Sequence, residues 1–239
     1  MDKKEFEKVI TQKAKELNIN LTSMQINQFY LYMNLLIEKN KVMNLTAIIE
    51  PQEIIVKHFI DSLTVLKEIG ENKKIIDVGT GAGFPGIPIK IVYPNTEIVL
   101  LDSLNKRINF LNEVIEKLEM EGIRTIHSRA EELGRDEQHR EKYDCAIARA
   151  VAPLNVLTEY LIPFVKTTGK CICMKGKECA EEIARGERAI KELGGKVKKI
   201  EEFYISKTEM KRTLIVIQKE KKTSNKYPRK AGTPSKMPL

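Results

Sequence analysis

The residues with the clearest chemical purpose are Asp77-Val-Gly79-Thr-Gly81-Ala-Gly83-Phe84-Pro85-Gly86, which place four glycines in eight positions. The apolar run KKIIDVG leads straight into them and a helical segment from Gly86 to Val92 follows, so the glycines fill a strand-to-helix turn. Glycine there permits positive φ and lets a ligand come closer to the backbone than any Cβ allows, while the next helix offers unpaired N–H groups to an anion. Asp102 ends the following apolar run, EIVLLD, about 20 residues on, at the carboxyl edge where such a sheet holds a ribose diol. Together these residues predict an adenosine-type cofactor.

Gly81-x-Gly83-x-x-Gly86 formally satisfies the dinucleotide fingerprint, which leaves a nicotinamide-dependent oxidoreductase as one reading. Asp77 opposes it. A carboxylate two residues before the first glycine repels a pyrophosphate but suits a cationic amino-acid portion. S-adenosylmethionine carries a sulfonium and an ammonium, has no phosphate, and has a carboxylate that can use the helix N-terminus near Phe84. The pattern therefore favours S-adenosylmethionine.

The elements that must position these residues change character near residue 70. Before it the pattern is helical. Phe6, Val9, Ile10, Ala14 and Leu17 share one face, with Asp2 and Glu5 spaced as a capping box. Thr22 and Gln25 open a second helix whose expected stripe is Ile26, Phe29, Tyr30, Met33, Leu36 and Ile37, and Pro51 opens a third carrying Ile54, Ile55, His58, Phe59, Leu63 and Leu66. From Lys73 short apolar runs alternate with helical segments, the signature of a parallel sheet with crossover helices. Seven strands are expected: KKIIDVG, EIVLLDS, IRTIHS, YDCAIARA, KCICMKG, VKKIEEFYI and RTLIVIQK, with helices at Gly86–Val92, Asn105–Glu119, Pro153–Lys166 and Lys177–Leu193. The expected organisation is a helical extension over 1–70, a cofactor-binding α/β domain over 71–220 and a basic tail over 221–239.

With 239 residues, 42% hydrophobic and 31% charged, the chain suits one globular domain with modest additions. The four cysteines form neither a C-x-x-C pair nor a zinc-ligand pattern, so no disulfide scaffold and no metal are expected. With no apolar leader and no run long enough to span a bilayer, the expectation is a cytoplasmic protein without a membrane partner. The formal charge is +8, and the segment from Lys219 to Leu239 carries +6 of it, with seven basic residues against Glu220 alone. Three prolines and little apolar periodicity predict an extended basic arm with Tyr227 as its aromatic.

The sequence resembles, nearly end to end, the RsmG (GidB) family of bacterial 16S ribosomal RNA guanine-N7 methyltransferases. The resemblance is carried by NLTAI at 44–48, HFIDSL at 58–63, DVGTGAGFPGIP at 77–88, LLDSLNKRINFL at 100–111, ARAVAPL at 148–154, MKG at 174–176 and YPRKAGTPSKMPL at 227–239. It implies a class I methyltransferase, with a Rossmann-like seven-stranded, mostly parallel sheet, the last strand antiparallel, plus the helical extension. It also implies that Gly79 and Phe84 line the methionine side of S-adenosylmethionine, Asp102 and Ser103 meet the ribose, Ala130 and Glu131 flank the adenine, and Arg149 sits beside methyl transfer. The implied partner is 16S ribosomal RNA or the small ribosomal subunit, and the implied target a guanine in the decoding-site hairpin loop; a monomer is a separate expectation that the resemblance does not carry.

That chemistry needs little from the protein. Guanine N7 is already an unprotonated lone pair, so in-line attack requires no covalent nucleophile and no prior proton removal. Proximity carries most of the rate. Arg149 and Lys175, both at strand ends, are the catalytic candidates, as donors that position the base through O6. An exocyclic amine target goes with an Asn/Asp-Pro-Pro-aromatic turn and pyrimidine C5 chemistry with a cysteine nucleophile, and neither pattern occurs. RNA phosphate contacts are expected from Lys106, Arg107, Arg129 and the tail residues Tyr227, Arg229 and Lys230. His58 reads as a partly buried structural histidine that could still face the cofactor, and Asn44 and Thr46 as turn or cap residues. A non-catalytic RNA-binding protein on a methyltransferase scaffold is the alternative from another class.

Overall fold

The expected N-terminal helices form and lie against the sheet. The protein is seen here in a computed structural model that describes residues 1–176, 179–205 and 208–239. In α1 (Lys3–Glu16), Asp2 caps the start by accepting from the Glu5 N–H at 2.9 Å. In α2 (Ser23–Met43) the full box is present: the Thr22 hydroxyl accepts from Gln25 N–H and Gln25 Oε1 accepts from Thr22 N–H. The amide of Gln25 also donates to the carbonyls of Ile91 and Val92, so one side chain caps its own helix and the end of a distant one. The buried stripe of α2 is Ile26, Phe29, Tyr32, Met33 and Leu36; Tyr30 and Ile37, expected within it, are only half-buried.

The third helix departs from expectation. α3 (Pro51–Ile54) runs into a π-helical turn over Ile55–Ile60, then α4 (Asp61–Leu63) and α5 (Leu66–Ile69). The side chains from His58 to Leu63 are buried without a break, which no single helical face can achieve. The widened turn brings consecutive residues into contact with the sheet edge, as π-turns at functional sites commonly do.

The α/β part follows in the order β1 (Lys74–Val78), α6 (Gly86–Val92), β2 (Glu97–Asp102), α7 (Asn105–Lys117), β3 (Ile123–His127), α8 (Ala130–Leu133), β4 (Tyr143–Arg149), α9 (Leu154–Leu161), β5 (Val165–Lys175), α10 (Ala180–Glu192), β6 (Gly195–Tyr204), β7 (Lys211–Lys219) and α11 (Thr233–Lys236). The expected start of the fourth crossover helix at Lys177 lies outside the described residues. Among the described residues the sheet has seven strands in the order β3-β2-β1-β4-β5-β7-β6. β1 to β5 are parallel, and β7 inserts antiparallel between β5 and β6. Strand order reverses between β1 and β4, which opens a crevice at their carboxyl ends. Alternation along the strands builds two cores: Ile75, Ile98 and Leu100 pack with Phe6, Phe29 and Phe59, whereas Ile76, Val99 and Leu101 pack with Leu157 and Ile190 on the other face. The helical extension is therefore one wall of the sheet's own core.

The tail overturns the expectation of an extended arm. Arg140 donates to the carbonyls of Thr223 (2.8 Å) and Tyr227 (2.7 Å), and Arg135 to that of Pro228 (2.7 Å). The fully buried Lys219 ammonium pairs with Glu141, which also accepts from the Thr223 N–H. Tyr227 is 5% exposed and cannot stack on a base. Arg229 grips the fully buried Glu159 carboxylate through its guanidinium and its own N–H. Only Lys230, of the three tail residues expected at RNA, stays exposed. Composition measures how much apolar surface a segment can bury, but this one is held by its backbone carbonyls, whose arginine donors lie about ninety residues earlier.

Gln25→Ala removes the acceptor of the Thr22 N–H and the donors to the end of α6 together, while the bond from the residue-25 N–H to Thr22 Oγ1 remains. It is expected to cost about 1–2 kcal/mol in urea unfolding; a loss below about 0.3 kcal/mol would show that the dual cap contributes little.

Candidate functional site

The crevice is a cavity of about 480 Å³. Its floor is the glycine loop, fastened to β2 by Gly79 N–H and Thr80 N–H donating to Leu101 O at 2.8 and 3.1 Å. Gly79 has φ +70°, and a Cβ there would come within 2.9 Å of Val151, so a side chain is excluded on two counts. Gly81 lines the cavity with open space where a Cβ would stand. Gly83 faces the opposite way, against Ile87 and the Tyr32 hydroxyl, and that hydroxyl donates to Ala82 O beneath the loop. Gly83 is thus a packing glycine and does not line the cavity.

Asp77 also lies under the loop. Its Oδ2 accepts from Thr80 Oγ1 at 2.7 Å and Gly86 N–H at 2.8 Å, while Oδ1 has no hydrogen-bond partner among the described residues. The expected direct grip on a cationic ligand is therefore corrected: Oδ2 shapes the turn, and the fully buried side chain does not line the cavity, so its charge acts through the loop. Burial pushes it up to about 6, more than the bonds from Thr80 and Gly86 and the Arg149 charge can offset. Asp102 is on the wall, its Oδ1 accepting from Leu104 N–H and its Oδ2 from Gly81 N–H and Arg107. Ser103, Ala130 and Glu131 line the same end, and Glu131 Oε1 accepts from Gly232 N–H at 2.8 Å. Arg107 and Arg129, expected at RNA, are cavity residues, whereas Lys106 lies outside and exposed.

At the other end stands Arg149, last residue of β4. Its Nη1 donates to Lys57 O and Asp61 Oδ2, each at 3.0 Å, and its Nη2 to His58 Nδ1 at 3.1 Å; the guanidinium carbon lies 4.9 Å from the centre of the Phe84 ring. An arginine only donates, so Nδ1 of His58 is an acceptor and the proton resides on Nε2, which donates to Thr46 Oγ1 at 2.9 Å. Burial and the adjacent Arg149 charge hold His58 down at about 3, so the imidazole is neutral. It stacks on Phe84 at 4.5 Å and lines the cavity. Thr46 is gripped by Asn40, and Asn44 ends α2 in the left-handed conformation. Sequence reading took His58 as structural with a possible face to the cofactor and Thr46 as a turn or cap residue; both line the cavity.

Lys175 is not brought to this cavity. Its ammonium donates to Ala152 O and pairs with Glu182, bordering a separate depression behind Ala150–Pro153. Sequence reading missed Tyr160 of α9 and also Gly232 and Ser235, which complete the wall; the last two reach it only through the folded tail.

The sheet order and the cavity at its switch point define a class I S-adenosylmethionine-dependent methyltransferase fold. A SAM-dependent methyltransferase from Aquifex aeolicus superposes with a TM-score of 0.51 at 18% identity, covering 70% of this chain and 93% of that one. NSun6 from Pyrococcus horikoshii, solved with SFG, gives 0.55 at 15% identity over 70% of this chain and 52% of that one. The family model described as rRNA small subunit methyltransferase G matches residues 25–215. Proteins named ribosomal RNA small subunit methyltransferase G from Acetivibrio thermocellus and Desulforamulus reducens are each 52% identical, covering 100% of both chains in the first case and 96% of this chain and 97% of the other in the second. The chain belongs to the rRNA small subunit methyltransferase G family.

Because the folded state raises the Asp77 pKa, the native protein binds that proton more tightly than the unfolded chain, and the contribution of Asp77 to stability falls as pH rises from about 4 to about 6. Relative to Asp77→Asn, the wild type is expected to lose up to about 3 kcal/mol across that window. Parallel urea unfolding curves for the two proteins at pH 4 and 6.5 check this; an unchanged gap would mean that Asp77 titrates normally.

Proposed function

We propose that this protein transfers a methyl group from S-adenosylmethionine to N7 of a guanine in the decoding-site loop of 16S ribosomal RNA. The observation that carries the reading is the convergence of the glycine loop, Asp102 and Arg149 on one cavity in a chain of this family. The residues fit the cofactor: Gly79 and Gly81 form a cradle that side chains would fill, Asp102 is an acceptor for a diol, and the buried Asp77 carboxylate provides negative charge beneath a cationic ligand. When bound, S-adenosylmethionine supplies an electrophilic methyl on its sulfonium. Gly79 and Phe84 would hold its methionine portion, and Asp102, Ser103, Ala130 and Glu131 its nucleoside.

The protein's own groups then orient and do not exchange protons. Arg149 is fixed by three acceptors, so its planar fork meets a base edge without paying for side-chain ordering, and a donor suits guanine O6. Its positive charge opposes the charge that grows on the ring, which identifies it as a positioning group. His58, neutral and with its Nδ1 lone pair occupied, is no general base, and N7 needs none. Burial pushes the Cys145 and Cys173 thiols up to about 12, and none of the four cysteines lines the cavity, which argues against a cysteine adduct. The base must be unstacked to reach the cavity, since A-form major grooves are too narrow to expose N7. Lys106 and Lys230 remain as exposed phosphate contacts, and a cytoplasmic monomer acting on 16S RNA or the small subunit completes the reading.

The experiment is transfer of labelled methyl from S-adenosylmethionine to small subunits or their RNA from cells lacking this gene, followed by digestion to nucleosides. Label in 7-methylguanosine from 16S RNA is expected; label in another nucleoside, or none, would refute the N7 assignment. Lys106→Ala and Lys230→Ala are each expected to lower the slope of log affinity against log salt by about one. Unchanged slopes in filter binding would place the phosphate path elsewhere.

A further inference from the structure

Two residues of the folded tail, Gly232 and Ser235, face the cavity that holds Gly81 and Asp102. Each is tied to the nucleoside end: Gly232 N–H to Glu131 Oε1 at 2.8 Å, and Ser235 Oγ to the Tyr160 hydroxyl at 2.8 Å. Gly232 adopts φ +81°, where a side chain is strained, and it leaves open space where a Cβ would stand. The two hydroxyls carry two protons and use one between them, so the pair still offers one O–H donor together with acceptor lone pairs. A nucleobase edge, with ring nitrogens that accept and an exocyclic amine that donates, is the ligand chemistry such a pair matches. The Arg229–Glu159 ion pair fixes the segment just before it, with a carboxylate that is fully buried and would be left uncompensated if the strap detached.

We propose that residues 229–236 form a nucleobase subsite of the cofactor cavity, so that the C-terminal strap is a determinant of cofactor binding. This rests on the reading of the cavity as a site for S-adenosylmethionine. By linkage, a ligand that binds only with the strap closed must also hold the strap closed. The tail then serves the cofactor first, and its removal weakens binding of a small molecule as well as of any RNA.

Hydrogen exchange on the full-length protein tests this with S-adenosylhomocysteine, adenosine and methionine as probes. S-adenosylhomocysteine is expected to slow exchange in residues 229–236 at least fivefold, together with the 79–84 loop. Adenosine should protect the strap as well, and methionine should not. Protection of the loop with unchanged exchange in the strap would overturn the subsite and leave the cofactor reading intact. No protection anywhere at saturating ligand would overturn both. A deletion of 229–239 is expected to raise the Kd for S-adenosylhomocysteine at least tenfold. If that deletion folds, by circular dichroism, and binds with unchanged Kd, the proposal fails; if it does not fold, the exchange result on the intact chain decides.

Discussion

The arrangement depends on one guanidinium. Arg149 ends β4 inside the sheet, yet its three acceptors, Lys57 O, Asp61 and His58, all belong to the helical extension. Asp61 is almost completely buried and shared with Arg212 of β7, at 3.0 Å to each, so one carboxylate ties the extension to two strands. Removing one member of such a buried cluster leaves an uncompensated charge, with a cost of several kcal/mol. The π-turn follows from the same demand. The turn and the first residue of α4 present a carbonyl, an imidazole and a carboxylate from residues 57, 58 and 61 to a single planar fork.

The electrostatics of the cavity are graded from one end to the other. A buried carboxylate lies under the loop, a second on the wall beside β2, and a fixed cation at the end of β4. Negative charge is thus concentrated at the glycine loop and the end of β2, and a fixed hydrogen-bond donor at the end of β4. The neutral imidazole beside Arg149 adds a flat surface stacked on Phe84 without adding charge. Such a site suits a reaction whose nucleophile arrives ready, in which orientation and not proton transfer limits the rate.

Much of this was legible in the sequence because it is local. The glycine loop between strand and helix, Asp102 at the end of the next strand and the Thr22/Gln25 cap all depend on neighbours within a few residues, and all form. The mostly parallel sheet and the antiparallel β7 came with the family resemblance. What was not legible is long-range. The Asp77 carboxylate looked like a ligand group because spacing shows where a residue is and not where its lone pairs are spent. Lys175 looked catalytic at a strand end, but Glu182 claims its charge. Tyr32, not Tyr30, is buried because the loop's Ala82 carbonyl needs its hydroxyl. The tail read as an extended arm because its partners, Arg135, Arg140 and Glu159, lie far away in sequence and bind its backbone and one arginine.

The central claim, that Arg149 locks the extension against the reaction centre by occupying the lone pair of His58, is tested most directly by long-range proton–nitrogen NMR of the three histidines as a function of pH. The account predicts that His58 is the Nε2–H tautomer and stays neutral down to about pH 4, and that Arg149→Lys, which keeps the charge but lacks the planar fork, frees Nδ1 from its donor so that the single tautomer is lost, while burial still holds the imidazole below its usual 6.5. A wild-type His58 that titrates near 6.5, or that carries its proton on Nδ1, would contradict it.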